Sequence, residues 1–336
     1  MRIRPKDIRA MIGIAMVLAG ALSLAFTSLT MEESLLDVCS ADSTARTPNA
    51  LLTYLPLNYI AIALGVASYS RDYLDRLIEK RFKARDLKRL FLGAVVAGGS
   101  VHFNGKKYCV RYYGKDAVMH SVFRNLAYMI YYVRPSTVEV KSRRSYVTQL
   151  YSKEAVRELL ELSPEFGSRS GGAPSISFIL EGKAEAQVEA ARIIMSTSGW
   201  LTCTFSRRLN GMAAYPRLGL GSVTPLSLNA QYKDLMDGIG VKMNVAQDRR
   251  YTNSGYLHTS ELCSIDAFRE KGGFVEGTLV KRGAFSGIEK NELMNAICSV
   301  SRRVEGSKDE LLSLLREYSS SAEENLQMYM NRIMLG

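Results

Sequence analysis

The sequence predicts an α+β protein made of two pseudo-symmetric αββαββα units with antiparallel sheets, preceded by one or two transmembrane helices. Three observations predict it. One order of seven elements occurs twice, about a hundred residues apart. Apolar residues alternate between helical and strand spacing in a regular succession. Ahead of both copies stand two uncharged stretches, each near the length that spans a bilayer.

The N-terminal stretches come first in the chain. Residues 11–30 carry no charge, and 50–69 form a second, Pro56-containing span. The flanks are basic in 1–10, mostly acidic in 31–46 and basic again after Ser70. That order fits a membrane hairpin over 1–70 with both ends in the cytosol. Residues 71–86 read as a basic linker helix.

In the first unit, 87–166, an apolar helical run covers 87–97. Alternating strands at 101–104 and 108–113 flank Asn104-Gly105, a hairpin signal. A helix spans 117–131 on Val118, Val122, Leu126, Met129 and Ile130. Strands at 137–143 and 146–151 form a second hairpin, and a helix at 153–162 closes at Ser163-Pro164. A Gly/Ser-rich linker, 167–173, follows. The second unit with its closing segment covers 174–300. It has helices at 185–196, 228–239 and 261–271, and strands at 201–206, 215–223, 241–247 and 255–259, with a long turn at 207–214. Residues 301–336 read as an acidic amphipathic helix that packs on the core.

Charge narrows the function. The chain of 336 residues has a formal net charge of +11, and residues 71–306 hold 36 bases against 23 acids, a net of +13. So basic a folded region suits a polyanion. The strands carry one apolar and one polar face: Thr137, Glu139, Lys141 and Arg143 alternate with Val138 and Val140, and Lys242 and Asn244 with Val241 and Met243. The polar faces are expected to be open, with helices covering the others.

Other chemistries are poorly supplied. The five cysteines (Cys39, Cys109, Cys203, Cys263, Cys298) form no C-x-x-C, so neither a disulfide framework nor a zinc site is indicated. The histidines are His102, His120 and His258, and none stands beside a plausible nucleophile. Gly99 to Lys107 has five residues between its glycines and no hydroxyl after the lysine, so it is no phosphate loop.

Residues 90–103, LFLGAVVAGGSVHF, resemble the first motif of the LAGLIDADG homing endonucleases, a helix that ends in a small-x-Gly turn and runs directly into a strand. GTLVKRGAFSGIEKNE, from Gly277 to Glu292, is similar to the closing segment of archaeal-type members. The resemblance implies two αββαββα units side by side, saddle-shaped sheets in the DNA major groove and two motif helices packed at the centre. Each such helix would present a terminal acid to divalent metal. On this sequence Gly93 and Ala97 match the small helix-contact positions, Gly99 and Gly199 the terminal glycines. The acid positions fall on Gly98 and, within IIMSTSG, on Ser198. Neither is a carboxylate, and phosphodiester hydrolysis by two metals needs carboxylates to bridge the cations. Glu276 is the nearby acid in sequence, but it follows the second unit.

The leading expectation is therefore a monomeric LAGLIDADG-type protein that binds double-stranded DNA and is impaired in cleavage. It would be a cytoplasmic module, anchored through 11–30 and 50–69 where these span the membrane. Contacts are expected from Lys107, Arg111, Lys141, Arg143, Arg144, Arg207, Arg208, Arg217 and Lys242. No metal site is expected, with Mg²⁺ the cation if the chain is active. Two alternatives stay open: an active site-specific endonuclease, and a membrane-tethered RNA-binding, maturase-like protein.

Overall fold

A computed structural model describes residues 82–302, apart from 105, 141–144, 168–171, 209–210 and 282–284. Among the described residues no helix is long and apolar enough to cross a membrane. The expected spans 11–30 and 50–69, and nearly all of 301–336, lie outside the described residues.

The first unit runs α1 (Ala84–Gly98), β1 (Gly99–Phe103), β2 (Tyr108–Gly114), α2 (Ala117–Tyr131), β3 (Ser136–Val140), β4 (Ser145–Leu150) and α3 (Lys153–Leu162). A 3-10 turn at Pro164–Gly167 and a short helix α4 (Ser177–Leu180) lead into the second unit. That unit repeats the order: α5 (Ala184–Ser198), β5 (Gly199–Arg208), β6 (Gly211–Pro225), α6 (Leu226–Gly238), β7 (Asn244–Gln247), β8 (Ser254–Thr259) and α7 (Leu262–Glu270). The closing segment ends in α8 (Lys290–Arg302). Strand order is β1-β2-β4-β3 in one sheet and β5-β6-β8-β7 in the other, with every pairing antiparallel.

Local chemistry sets the boundaries. Asp116 caps α2 by accepting from the amides of Val118 and Met119, and Ser152 caps α3 by accepting from Ala155. Asn104 accepts from the Lys107 amide at 2.8 Å and so closes the β1–β2 turn. Residues 82–86, expected within a linker helix, include the first turn of α1. There Asp86 is buried and pairs with Arg89 at 2.8 Å.

Two expectations are corrected by the strands. The long turn expected at 207–214 is mostly strand, because β5 and β6 pair as far as Arg208 and Gly211. The faces of β3 are reversed. Thr137 pairs with Thr148, which pairs with the buried Tyr112, so Thr137 and Glu139 share the helix-covered side. Val138 is 54% exposed and shares the open side with Tyr113. The buried Thr148 hydroxyl anchors this side: it lies 2.9 Å from that of the exposed Thr137 and 2.7 Å from His120 Nδ1.

One continuous core joins the units. Phe91, Phe123 and Tyr112 stack in the first, while Leu218, Leu220 and Leu257 line the covered face of the second sheet. Helices α1 and α5 pack directly on each other. Gly93 lies at this contact, where a Cβ would meet Ile194 Cγ1 at 3.5 Å and the Ala190 carbonyl oxygen at 3.7 Å, ordinary packing distances.

Candidate functional site

Helices α1 and α5 both end where a strand begins, at Gly98–Gly99 and Ser198–Gly199. An α-helix leaves its last four carbonyls without internal partners. The way these ends are satisfied decides what the centre can do.

Gly98 is enclosed. A Cβ built on it would stand 2.5 Å from Thr197 Cγ2 and 3.0 Å from Tyr112 Cε2. Any side chain there would force the helices apart or displace Thr197. Ser198 has a side chain, but its hydroxyl donates to the Ala97 carbonyl at 2.5 Å, across the seam between the helices. Beside it the hydroxyls of Tyr112 and Thr197 meet at 3.1 Å. Gly93 and Ala97 thus lie along the helix contact, while Gly99 and Gly199 are the first residues of their strands.

The closing segment supplies cations. Lys290 is 2% exposed and donates to the carbonyls of Ser196 and Gly199, each at 2.9 Å. Its ammonium also lies 4.7 Å from the Phe274 ring centroid. Lys281 donates to the Thr197 carbonyl at 2.6 Å. Both lysines meet the negative pole of α5, where a cation is favoured. Burial, helped by Lys281, pulls the Lys290 ammonium down to about 7, against the attraction of Asp116. Loss of hydration lowers Lys281 as well, opposed by Asp116.

The carboxylate facing these cations is Asp116. Its oxygens are already engaged: Oδ1 accepts from Val118 and Met119, and Oδ2 from the Leu279 amide at 3.0 Å. Burial raises its pKa, opposed by the Leu279 hydrogen bond and then by the two lysines. Glu276 takes a structural role. It pairs with Arg192 at 3.1 Å, and Arg192 also bonds Glu189 and the carbonyls of Gly273 and Phe274.

Such a donor set does not fit a divalent cation. Mg²⁺ takes oxygen ligands, usually carboxylates. Here Gly98 has no side chain, Ser198 spends its hydroxyl on a carbonyl, and the Lys281 and Lys290 ammoniums bond the carbonyls around it. Among the described residues no cluster of three or more His, Cys, Asp or Glu side chains could hold a metal ion.

The open sheet faces carry the other chemistry. On the first sheet Ser100 pairs with Arg111 across the β1–β2 ladder, and its hydroxyl lies 2.8 Å from His102 Nε2 and 3.2 Å from the Tyr113 hydroxyl. Burial and then Arg111 lower the His102 pKa, which keeps the ring neutral near pH 7. Lys107 is exposed at the hairpin. On the second sheet Arg217 pairs with the exposed Thr202, and Lys242 is exposed just ahead of β7. Arg207 and Arg208 end β5. Lys141, Arg143 and Arg144 lie outside the described residues. Sequence reasoning missed Asp116, Lys281 and Lys290, whose roles arise from contacts across long stretches of chain.

Taken as a class, this is a two-unit α/β fold with antiparallel sheets and paired helices at its centre. No protein-family profile matches the chain, and no curated protein matches its sequence. Among solved structures it is similar to the I-LtrWI LAGLIDADG homing endonuclease bound to target DNA, at 10% identity over 72% of this chain and 99% of that one, with a TM-score of 0.48. It is similar to the meganuclease I-SmaMI bound to uncleavable DNA, at 11% identity over 70% and 98%, TM-score 0.45. Full-length DUF199/WhiA from Thermatoga maritima overlaps at 15% identity over 72% and 69%, TM-score 0.40. These are loose overlaps, and the strand orders and helix pairing define the fold without them.

Proposed function

We propose that this chain is a DNA-binding protein whose two open sheet faces hold the nucleic acid, and whose centre is not built for two-metal cleavage. The observation that carries the reading is that a closed glycine, a carbonyl-bonded serine and two lysines stand at the helix ends, where the resemblance would place paired carboxylates. Arg111 and Arg217 on the open faces, with the net charge of +13 over residues 71–306, support a polyanionic partner.

Binding through phosphate contacts releases counterions, so affinity must fall steeply with salt. The test is retention of a mixed-sequence duplex by the full chain over a series of salt concentrations. Retention at low salt with a steep loss on raising it is expected. Absence of retention at low salt overturns the reading.

A further inference from the structure

The second sheet carries on its open side a feature that phosphate binding does not require. The chain has one tryptophan, Trp200, the second residue of β5, which pairs with Gly219 of β6. Its indole lies across the β6 backbone: a Cβ on Gly219 would stand 2.1 Å from Trp200 Cζ2. Only glycine leaves room for the ring. The indole N–H donates to the Gly221 carbonyl at 3.0 Å, so the ring is held in place. Tyr256 follows with its ring centroid 6.2 Å from that of Trp200, and His258 stands 5.6 Å beyond Tyr256.

These rings are not part of the core. The neighbouring positions Leu201, Leu218, Leu220 and Leu257 point to the opposite side and are buried there, whereas Trp200, Tyr256 and His258 are only half-buried. Arg217 lies on the same side and lowers the pKa of His258, after burial. A row of fixed rings beside a cation on a solvent-facing sheet matches the needs of unpaired nucleobases. Such bases stack on aromatic side chains while a basic groove follows the backbone. Paired bases have their faces covered by their neighbours and are read along their edges.

We propose that the open face of the second sheet is a stacking platform for unpaired nucleobases, with Trp200 and Tyr256 as its stacking surfaces and Arg217 as a phosphate contact. The proposal rests on the nucleic-acid-binding reading above and narrows it: the second unit takes a single-stranded or opened segment, DNA or RNA.

Trp200 is its own reporter. Its emission in the full chain is followed while an oligothymidylate of roughly 20 nucleotides, its ribose counterpart, or a fully paired duplex is added, with binding read separately from the anisotropy of an end-labelled strand. Quenching by the single strands and little change with the duplex are expected. The two single-strand arms show which sugar is preferred. Tyr256→Leu weakens single-strand binding about tenfold and duplex binding by clearly less, and Tyr256→Phe keeps both. Binding of single strands without quenching, or equal loss for both probes in Tyr256→Leu, overturns the platform alone. Failure of every probe to bind overturns it together with the nucleic-acid reading.

Discussion

The Ser198 hydroxyl donates to the Ala97 carbonyl at 2.5 Å, tying the end of one central helix to the end of the other. That bond uses the Ser198 side chain as a cap on the neighbouring helix. With Gly98 closed by Thr197, the centre is a structural joint.

Restoring an acid tests this directly. Gly98→Asp places a Cβ 2.5 Å from Thr197 Cγ2, and overpacking of this kind costs about 1–3 kcal/mol. The urea midpoint should fall in Gly98→Asp and recover in part when Thr197→Ala is added. Neither variant should cut DNA with Mg²⁺, because Lys281 and Lys290 remain. A Gly98→Asp protein as stable as the parent would contradict the geometry.

Lys290 should leave a mark on the pH dependence of stability. Its folded pKa is pulled down to about 7, so above that pH the unfolded chain binds the additional proton. Stability therefore rises with pH from about 7 toward the ordinary lysine range. Lys290→Met has no such titration and loses the caps on Ser196 and Gly199. The stability gap between parent and Lys290→Met, measured by urea unfolding, should be wider at pH 9 than at pH 6. An equal gap would place Lys290 in solvent.

His120 acts at the acid end. Its Nε2 donates to the Gly114 carbonyl at 3.2 Å, leaving Nδ1 to accept from Thr148 at 2.7 Å, and burial lowers its pKa to about 4. Its folded value is depressed below the usual one near 6.5, so the neutral ring's stabilising contribution holds above pH 6.5 and is lost as pH falls toward 4. The loss amounts to at most ~3 kcal/mol. His120→Gln should unfold with a flatter pH dependence across that window. An unchanged slope would show that His120 is not the titrating group.

The open faces predict graded electrostatics. Arg111→Ala and Arg217→Ala should each make the slope of log affinity against log salt shallower by about 1. Loss of affinity with an unchanged slope would mean that these residues do not contact phosphate.

Much of this arrangement was legible as pattern. Residues 117–131 announce their helix through apolar spacing and 153–162 theirs through its close at Ser163-Pro164, and the helix-to-strand steps at Gly99 and Gly199 are visible in the residues themselves. Alternation misled at Thr137, because the polar residue it must pair with on the covered side is Thr148, a buried threonine whose hydroxyl bonds within the protein. The turn expected at 207–214 gave way to strand, because β5 and β6 keep pairing as far as Arg208 and Gly211. The centre was the least legible part. A lysine within a charged run reads as solvated, and Lys290 becomes a buried cap only when a segment more than ninety residues away comes beneath it.

The central claim is that the sheets hold DNA while the helix-end centre does not cut it. One measurement addresses both halves: the full chain is incubated at low salt with a mixed library of labelled duplexes and Mg²⁺, and the DNA retained on the protein is recovered and sized on a denaturing gel. Retention of strands at their original length is predicted. Sequence-specific shortened strands, or no retained DNA, would contradict it.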